Sequence, residues 1–244
     1  MDPLFIAAIA VTFLAYFVKG FSGFGPALIL IPTLTIIYDP ITAISYATIF
    51  DAIAGVILLS IVFRKVDWKF VLPITALLFT GSYFGVMFIK QIPAEKLKLL
   101  IGIVLIVFIA ILLSDRENHF EFIKKTGNSF LLSAAFIAGF IGGITGISGP
   151  ILVMIFKLRF VKDVFRTQLI AIFTFGGLWR LFLYNNNGII PELPLSIFVL
   201  IGVVLIALTI GHLFQTNLDE KRFNRYISII LIIPAVNILI EVFR

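Results

Sequence analysis

The sequence predicts an all-α integral membrane protein made of two inverted repeats, each with a glycine-broken, re-entrant segment followed by three transmembrane helices. Three observations predict this fold: an apolar composition, two glycine-rich breaks at matching places, and a sided distribution of basic residues. Of the 244 residues, 61% are hydrophobic and 13% are charged. A soluble domain of this size cannot bury so many apolar side chains. The composition therefore predicts a lipid bilayer as the protein's environment.

Six long apolar runs predict the membrane-spanning helices. Each run approaches the ~20 residues that cross a hydrocarbon core, and none alternates in the manner of a barrel strand. The runs cover about 41–63, 68–89, 97–113, 164–184, 194–214 and 226–243.

Two further apolar stretches are interrupted by glycine-rich breaks, Gly20 to Pro26 and Gly143 to Pro150. In lipid, a broken backbone persists only where protein buries it or where it lines a cavity. Matching breaks in the two halves of a chain are typical of a transporter's binding site.

The chain divides into two similar halves. Aligning Gly25-Pro26 with Gly149-Pro150 also aligns Asp39 with Asp163, just before the next long helix. We therefore predict a first repeat at 1–113, a polar cytoplasmic linker at 114–128 and a second repeat at 129–244.

The lengths of the broken segments favour re-entrant hairpins. A straight helix over residues 4–37 would be about 50 Å long, too long for one crossing of a ~30 Å core. The piece after the break, 27–37, is too short to cross alone, and the two pieces of the second half, 129–142 and 151–158, are each shorter than their counterparts in the first half. A helix that enters, turns at the glycines and returns as a half-helix fits both segments.

The basic residues favour the same topology and orient it. With both broken segments as hairpins, thirteen Lys and Arg residues share one side and four share the other, whereas single crossings give a split of ten to seven. The positive-inside rule prefers the sharper split, so both termini are predicted outside the cytoplasm. The thirteen are Arg64, Lys65, Lys69, Arg116, Lys124, Lys125, Lys157, Arg159, Lys162, Arg166, Lys221, Arg222 and Arg225, and the four are Lys90, Lys96, Lys98 and Arg244. These loops account for the net charge of +6 without a nucleic-acid partner.

The chemistry of the breaks predicts an anion site. Proline is favoured at the first helical position, so Pro26 and Pro150 mark the starts of half-helices, whose unpaired N–H groups and positive dipole ends attract anions. The alternative is that the glycines only allow helices to pack closely. The predicted substrate-binding residues share glycine backbone or a hydroxyl group at the breaks: Ser22, Gly23, Gly25, Pro26, Thr145, Gly146, Ser148, Gly149 and Pro150.

Three charged residues lie within apolar segments, where charge is costly and usually functional. Lys19 is predicted to supply a counter-charge for the anion, with snorkelling to a nearby surface as the alternative. Asp51 either pairs with Lys19, carries a proton, or is a protonated acid bonded to a neighbouring backbone. Arg180 is expected to snorkel to the outer surface, with a gate for anions as the alternative.

Five polar residues on two corresponding helices are predicted to line a path or to link helices; they are Ser45, Thr48, Thr167, Gln168 and Thr174. The sequence contains no catalytic constellation, no metal-ligand spacing and no cysteine, so we expect neither an enzyme nor a cofactor. Homo-oligomer formation stays open.

The two breaks resemble the duplicated glycine-rich signatures of the sulfite exporter TauE/SafE family of membrane transporters. The matching residues are Gly20, Gly23, Gly25, Pro26 and Pro32 in the first half and Gly142, Gly143, Gly146, Gly149 and Pro150 in the second. Phe24 and Ser148 interrupt the family's glycine runs, and Phe156 stands where a second Pro32 would be. The resemblance implies movement of sulfite or small organosulfur anions across a bacterial cytoplasmic membrane.

Together these observations predict a secondary transporter, in the export direction, for small anions such as sulfite or sulfoacetate, with proton coupling through Asp51. A passive anion channel of the same architecture is the alternative; a channel would show neither saturation nor counterflow.

Overall fold

The computed structural model describes residues 2–23, 25–113, 128–157 and 162–214, and within these ranges every regular element is helical. Phe24, the linker up to residue 127, Arg159 and the predicted last helix at 226–243 lie outside the described residues. The helices are α1 Pro3–Ser22, α2 Pro26–Ile37, α3 Pro40–Val62, α4 Trp68–Ile89, α5 Ala94–Leu113, α6 Asn128–Thr145, α7 Gly149–Lys157, α8 Lys162–Asn186 and α9 Ile197–Leu213, with a 3-10 turn at Phe63–Lys65.

These helices match the predicted apolar runs within a few residues. Four segments of the described chain are long and apolar enough to cross a bilayer: Pro3–Ser22, Pro40–Lys65, Trp68–Ile89 and Arg166–Asn186. Large apolar side chains on their outer faces are exposed, as Leu72 and Ile61 are. A surface of this kind is stable in contact with lipid, so the chain is a multi-pass membrane protein.

Aspartate side chains cap the starts of three helices in the first repeat. Asp2 accepts a hydrogen bond from the N–H of Leu4, Asp39 from Thr42, and Asp67 from Phe70. Such caps satisfy backbone donors that have no partner inside a helix. The start of α2 differs, because Gly25 precedes it and no side chain caps it.

The largest helix interfaces join the two halves of the chain. The most extensive contacts join α4 to α6 and α1 to α9, and α3 packs on α8. If α1 to α4 correspond to α6 to α9, the pairs α1–α9 and α6–α4 are equivalent, and α3–α8 joins two equivalent helices. Under that correspondence each predicted repeat would pack its first helix against the fourth helix of the other.

Of two helix pairs that join the halves of the chain, one is antiparallel and the other is parallel. Along α3 and α8 the contacts run in reverse, since Gly55 lies beside Thr174 and Ala52 beside Gly177, so these helices are antiparallel. Along α4 and α6 the residue numbers of the contacting residues rise together, since the ring of Phe84 contacts Phe136 and the ring of Phe88 contacts Phe140. These two helices are therefore parallel.

The first broken segment folds back on itself. α1 packs against α2, and the start of α1 lies near the end of α2. The two ends interact electrostatically: burial, and then the negative charge of Asp2, raise the pKa of Tyr38.

Glycines allow the closest helix contacts. A Cβ atom on Gly81 would collide with the carbonyl of Phe136, one on Gly85 with the carbonyl of Phe140, and one on Gly139 with the carbonyl of Leu78. Gly81 and Gly85 form a small-x-x-x-small pair on α4, as Gly139 and Gly143 do on α6. This spacing is typical of tightly packed membrane helices.

Candidate binding site at the helix breaks

Glycine backbone makes each break. α1 ends at Gly23, whose φ of 84° is left-handed and whose N–H donates to the Lys19 carbonyl at 2.7 Å. Gly25, at φ 90°, then turns the chain into α2. In the second repeat Gly146 has φ 77° and its N–H donates to the Gly142 carbonyl at 2.9 Å. Glycine adopts such angles without steric cost.

The prolines lie where the sequence predicted. Pro26 is the first residue of α2, and Pro150 is the second residue of α7. Because α2 packs on α3 after a turn at Tyr38 and Asp39, twelve residues back reach Pro26 and twelve residues forward reach Asp51. At 1.5 Å per residue both lie about 18 Å from the turn, roughly half the thickness of a ~30 Å core.

A buried ion pair lies at this depth. The Lys19 Nζ is 2.7 Å from the Asp51 Oδ1, and the two side chains are 5% and 13% exposed. The Tyr16 hydroxyl donates to the same carboxylate oxygen at 3.3 Å, and Lys19 Nζ lies 3.4 Å from the Asp51 carbonyl. The pairing that the sequence left as one alternative for Asp51 is present. Lys19 is buried at 4% exposure, so its snorkelling interpretation is wrong.

A second buried cation lies at the other break. Arg180 is 5% exposed, and its Nη1 donates to the Gly142 carbonyl at 3.3 Å. The expectation that Arg180 snorkels to the outer surface is therefore wrong, because its side chain turns inward to the end of α6. One turn further along α8, the Tyr184 hydroxyl donates to the Gly143 carbonyl at 2.9 Å.

The charges of these two groups of residues differ. Among the described residues Arg180 has no carboxylate within 4.0 Å, and its Nε is buried without a hydrogen-bond partner. Lys19, by contrast, is neutralised by Asp51. Arg180 and Tyr184 donate to the neighbouring carbonyls of Gly142 and Gly143. Ala52, next to Asp51, lies beside Gly177, three residues before Arg180, so the two groups of residues lie on facing stretches of α3 and α8.

The glycines of the breaks fall into two classes. A Cβ atom on Gly142 would lie 2.7 Å from the Ser148 Cβ, and one on Gly146 would lie 2.6 Å from the Ile31 Cδ1; close packing therefore requires these glycines. Among the described residues, a Cβ on Gly25 would meet only the Leu28 Cδ1, at 3.9 Å, and one on Gly149 would meet nothing within 4 Å. Gly25 and Gly149 are the aligned residues at the starts of the two half-helices, and within the described part of the chain both border open space.

A model of a protein family matches this chain. The family is described as sulfite exporter TauE/SafE, and the match covers residues 8–238, nearly the whole chain. The chain belongs to the TauE/SafE family. No curated protein and no solved structure is significantly similar to it. Membership identifies a membrane transporter and agrees with the resemblance seen at the glycine signatures.

Two of the three hydroxyl groups at the breaks of this TauE/SafE protein already donate hydrogen bonds. Ser22 donates to the Val18 carbonyl at 2.8 Å and Thr145 to the Ile141 carbonyl at 2.8 Å, each within its own helix. The Thr145 oxygen also accepts the N–H of Ile147 at 3.2 Å and so stabilises the break. Ser148 precedes α7 directly and is half-buried.

Three of the five predicted path residues of this TauE/SafE chain already form hydrogen bonds within the protein. Thr48 and Thr174 donate to carbonyls of their own helices. Gln168 accepts the N–H of Asp67 at 3.0 Å and links α8 to the start of α4. Thr167 is buried, and so is Ser45, whose hydroxyl has no hydrogen-bond partner among the described residues.

Sequence reasoning missed two residues of this site in the TauE/SafE protein. Tyr16 donates a hydrogen bond to Asp51, and Tyr184 donates one to the Gly143 carbonyl. Neither tyrosine was predicted. Tyr16 lies three residues before Lys19, and Tyr184 lies four residues after Arg180. Residues at these spacings share one face of a helix, so a search for polar neighbours of the buried charges would have found both.

Proposed function

We propose that this TauE/SafE chain is a secondary transporter that exports small oxyanions, such as sulfite, sulfoacetate or related organosulfonates, across a bacterial cytoplasmic membrane. The observation that carries the proposal is the open space at Gly25 and Gly149. Every other break glycine given above is packed against protein, so close packing does not explain these two. Space in front of an N-terminal helix end is what an anion requires.

The backbone around the two half-helix starts would hold the anion. No side chain among the described residues caps α2. Pro26 has no N–H and the Leu28 N–H donates to the Gly25 carbonyl at 3.1 Å, so the Ala27 N–H is the first-turn donor proposed to face a ligand. The same role is proposed for Gly146 to Ile151 at the second break. Ser22 and Thr145 already donate their protons within their own helices, so Ser148 is the break hydroxyl best placed to donate to an anion.

The helix directions support two inverted repeats, 1–113 and 129–244, joined by a cytoplasmic linker. In an inverted arrangement the corresponding helices α3 and α8 must be antiparallel, and they are. In a same-direction arrangement they would be parallel. The nearness of Asp2 and Tyr38 supports a re-entrant first segment that returns to its starting side. Alternating access would then arise by rocking one repeat against the other.

Asp51 is the proposed proton-coupling residue. Its carboxylate interacts with Lys19 and Tyr16 on α1. Protonation of Asp51 would release Lys19 and leave a buried positive charge, which an anion would then stabilise. Coupling of this kind links substrate binding to a proton through one ion pair.

The test uses purified protein in liposomes loaded with unlabelled sulfite. We expect saturable uptake of radiolabelled sulfite that rises with the unlabelled sulfite inside, because a transporter exchanges substrate. Flux that neither saturates nor shows this counterflow would instead establish the channel.

A matched pair of glycine substitutions tests the position of the site. A Cβ atom on Gly149 or on Gly202 meets nothing within 4 Å, so Ala should fit at both. Each substitution should leave the folded protein as stable or up to about 1 kcal/mol more stable. We expect Gly149→Ala to reduce sulfite exchange at least about tenfold and Gly202→Ala to leave it unchanged. Equal rates in both variants would remove Gly149 from the site.

A further inference from the structure

We infer that Arg180 is the counter-charge for the transported anion; the inference rests on the proposed function. Two independent observations meet at this position. The first is the half-helix start at Gly149, which borders open space among the described residues. The second is Arg180 itself, which is 95% buried and whose Nε has no hydrogen-bond partner within the described part of the chain.

The geometry joins the two observations. The point where a Gly142 Cβ would lie is 2.7 Å from the Ser148 Cβ and 3.3 Å from the Arg180 Nη1. Ser148 is the residue directly before α7. The guanidinium therefore lies next to the positive end of the half-helix, where two positive groups face each other without a described carboxylate between them. Such an arrangement is costly without an anion.

Arg180 is a better counter-charge than Lys19. Lys19 already pairs with Asp51 at 2.7 Å, and an anion that took its place would leave the carboxylate buried without its cation. Arg180 uses one of its nitrogen atoms on the Gly142 carbonyl and keeps other donors in a planar fork. That fork matches two oxygens of a sulfonate or a related oxyanion.

The charges around the two breaks give a positive site. The described chain carries Lys19, Arg166 and Arg180 there, with Asp51 as the carboxylate, and the Arg166 Nη2 donates to the Gly20 carbonyl at 3.0 Å. A site lined mostly by positive charge attracts an anion.

The experiment measures the binding of methanesulfonate by isothermal calorimetry on the full-length protein in detergent. Arg180→Gln should weaken methanesulfonate binding by about 10- to 100-fold, the loss expected for a charge-assisted hydrogen bond. Gly202→Ala, on α9 and outside both breaks, is the control and should stay within about threefold of the wild type.

Further variants separate the inference from its rivals. If Arg180→Gln does not fold, Arg180→Lys decides, since it keeps the charge but loses the fork and should bind several-fold more weakly. Methanesulfonate affinity that is unchanged in the Arg180 variants overturns the inference while sulfite exchange in liposomes still supports the transporter. Absence of both binding and exchange would overturn the proposed function together with the inference.

Discussion

The Lys19–Asp51 pair predicts a large, non-additive effect on stability. At a separation of 2.7 Å and an effective dielectric constant of about 20, the attraction between the two charges is about 6 kcal/mol. Desolvation offsets much of it. Removing one partner, however, leaves the other charge buried and uncompensated, which costs about 3–5 kcal/mol.

The two single substitutions should differ. Asp51→Asn leaves a buried ammonium group with only neutral oxygens near it, so we expect about 3 kcal/mol of destabilisation or more. Lys19→Met leaves Asp51 with the Tyr16 hydroxyl as a hydrogen-bond donor, and a carboxyl group can also take up a proton. Its cost should therefore be smaller, about 1–3 kcal/mol. The double variant should cost less than the sum, with a coupling free energy of about 2 kcal/mol or more.

The assay is equilibrium unfolding in mixed micelles with increasing dodecyl sulfate, followed by tryptophan fluorescence. The chain has two tryptophans, Trp68 on α4 and Trp179 on α8, and both report on the packed helices. Phe88→Tyr, on a half-exposed part of α4, is the control for substitution at the surface. If the two single substitutions each cost less than about 1 kcal/mol and add without coupling, the ion pair is not a feature of the folded protein.

Three further predictions test the packing, the buried hydroxyl and the topology. Gly85→Ala should lower the thermal midpoint by overpacking worth about 1–3 kcal/mol, because its Cβ would meet the Phe140 carbonyl; an unchanged midpoint would contradict this contact. Ser45→Ala removes a buried hydroxyl that has no hydrogen-bond partner among the residues the structure describes, so unfolding should show stability equal to the wild type or higher by up to about 1 kcal/mol, and a clear loss would mean that the hydroxyl is bonded. Because the chain has no cysteine, single variants report sidedness directly: in intact cells Glu95→Cys should react with an impermeant maleimide and Lys65→Cys should not, and the reverse result would invert the topology.

The positions of the helices were predictable because apolar length and proline placement determine them directly. The runs at 41–63 and 68–89 became α3 Pro40–Val62 and α4 Trp68–Ile89. Pro26 lies at the start of a helix because a proline there lacks only an N–H that would have had no partner.

The direction of a side chain around a helix was not predictable in the same way. Arg180 lies six residues before the end of α8, so its distance along the chain to the polar loop suggested snorkelling. Gly177 and Tyr184, on the same helical face, turn that face toward α3 and the end of α6 instead. The classes of glycine were equally hidden, because sequence does not distinguish Gly142, which is packed, from Gly149, which borders open space.

The two breaks have similar backbones, but their charged side chains come from different positions in the fold. The alignment of the repeats places Lys19 on Gly142, so the cation of the first repeat lies on its broken helix, whereas the second repeat has a glycine there and takes its cation, Arg180, from α8. Lys19 is neutralised by Asp51, whereas Arg180 has no carboxylate partner among the described residues. A second arginine of α8, Arg166, donates to the Gly20 carbonyl at the first break. The predicted duplication would supply two helix ends, and α8 places an arginine beside each break, so an anion between the breaks would meet positive charge at both.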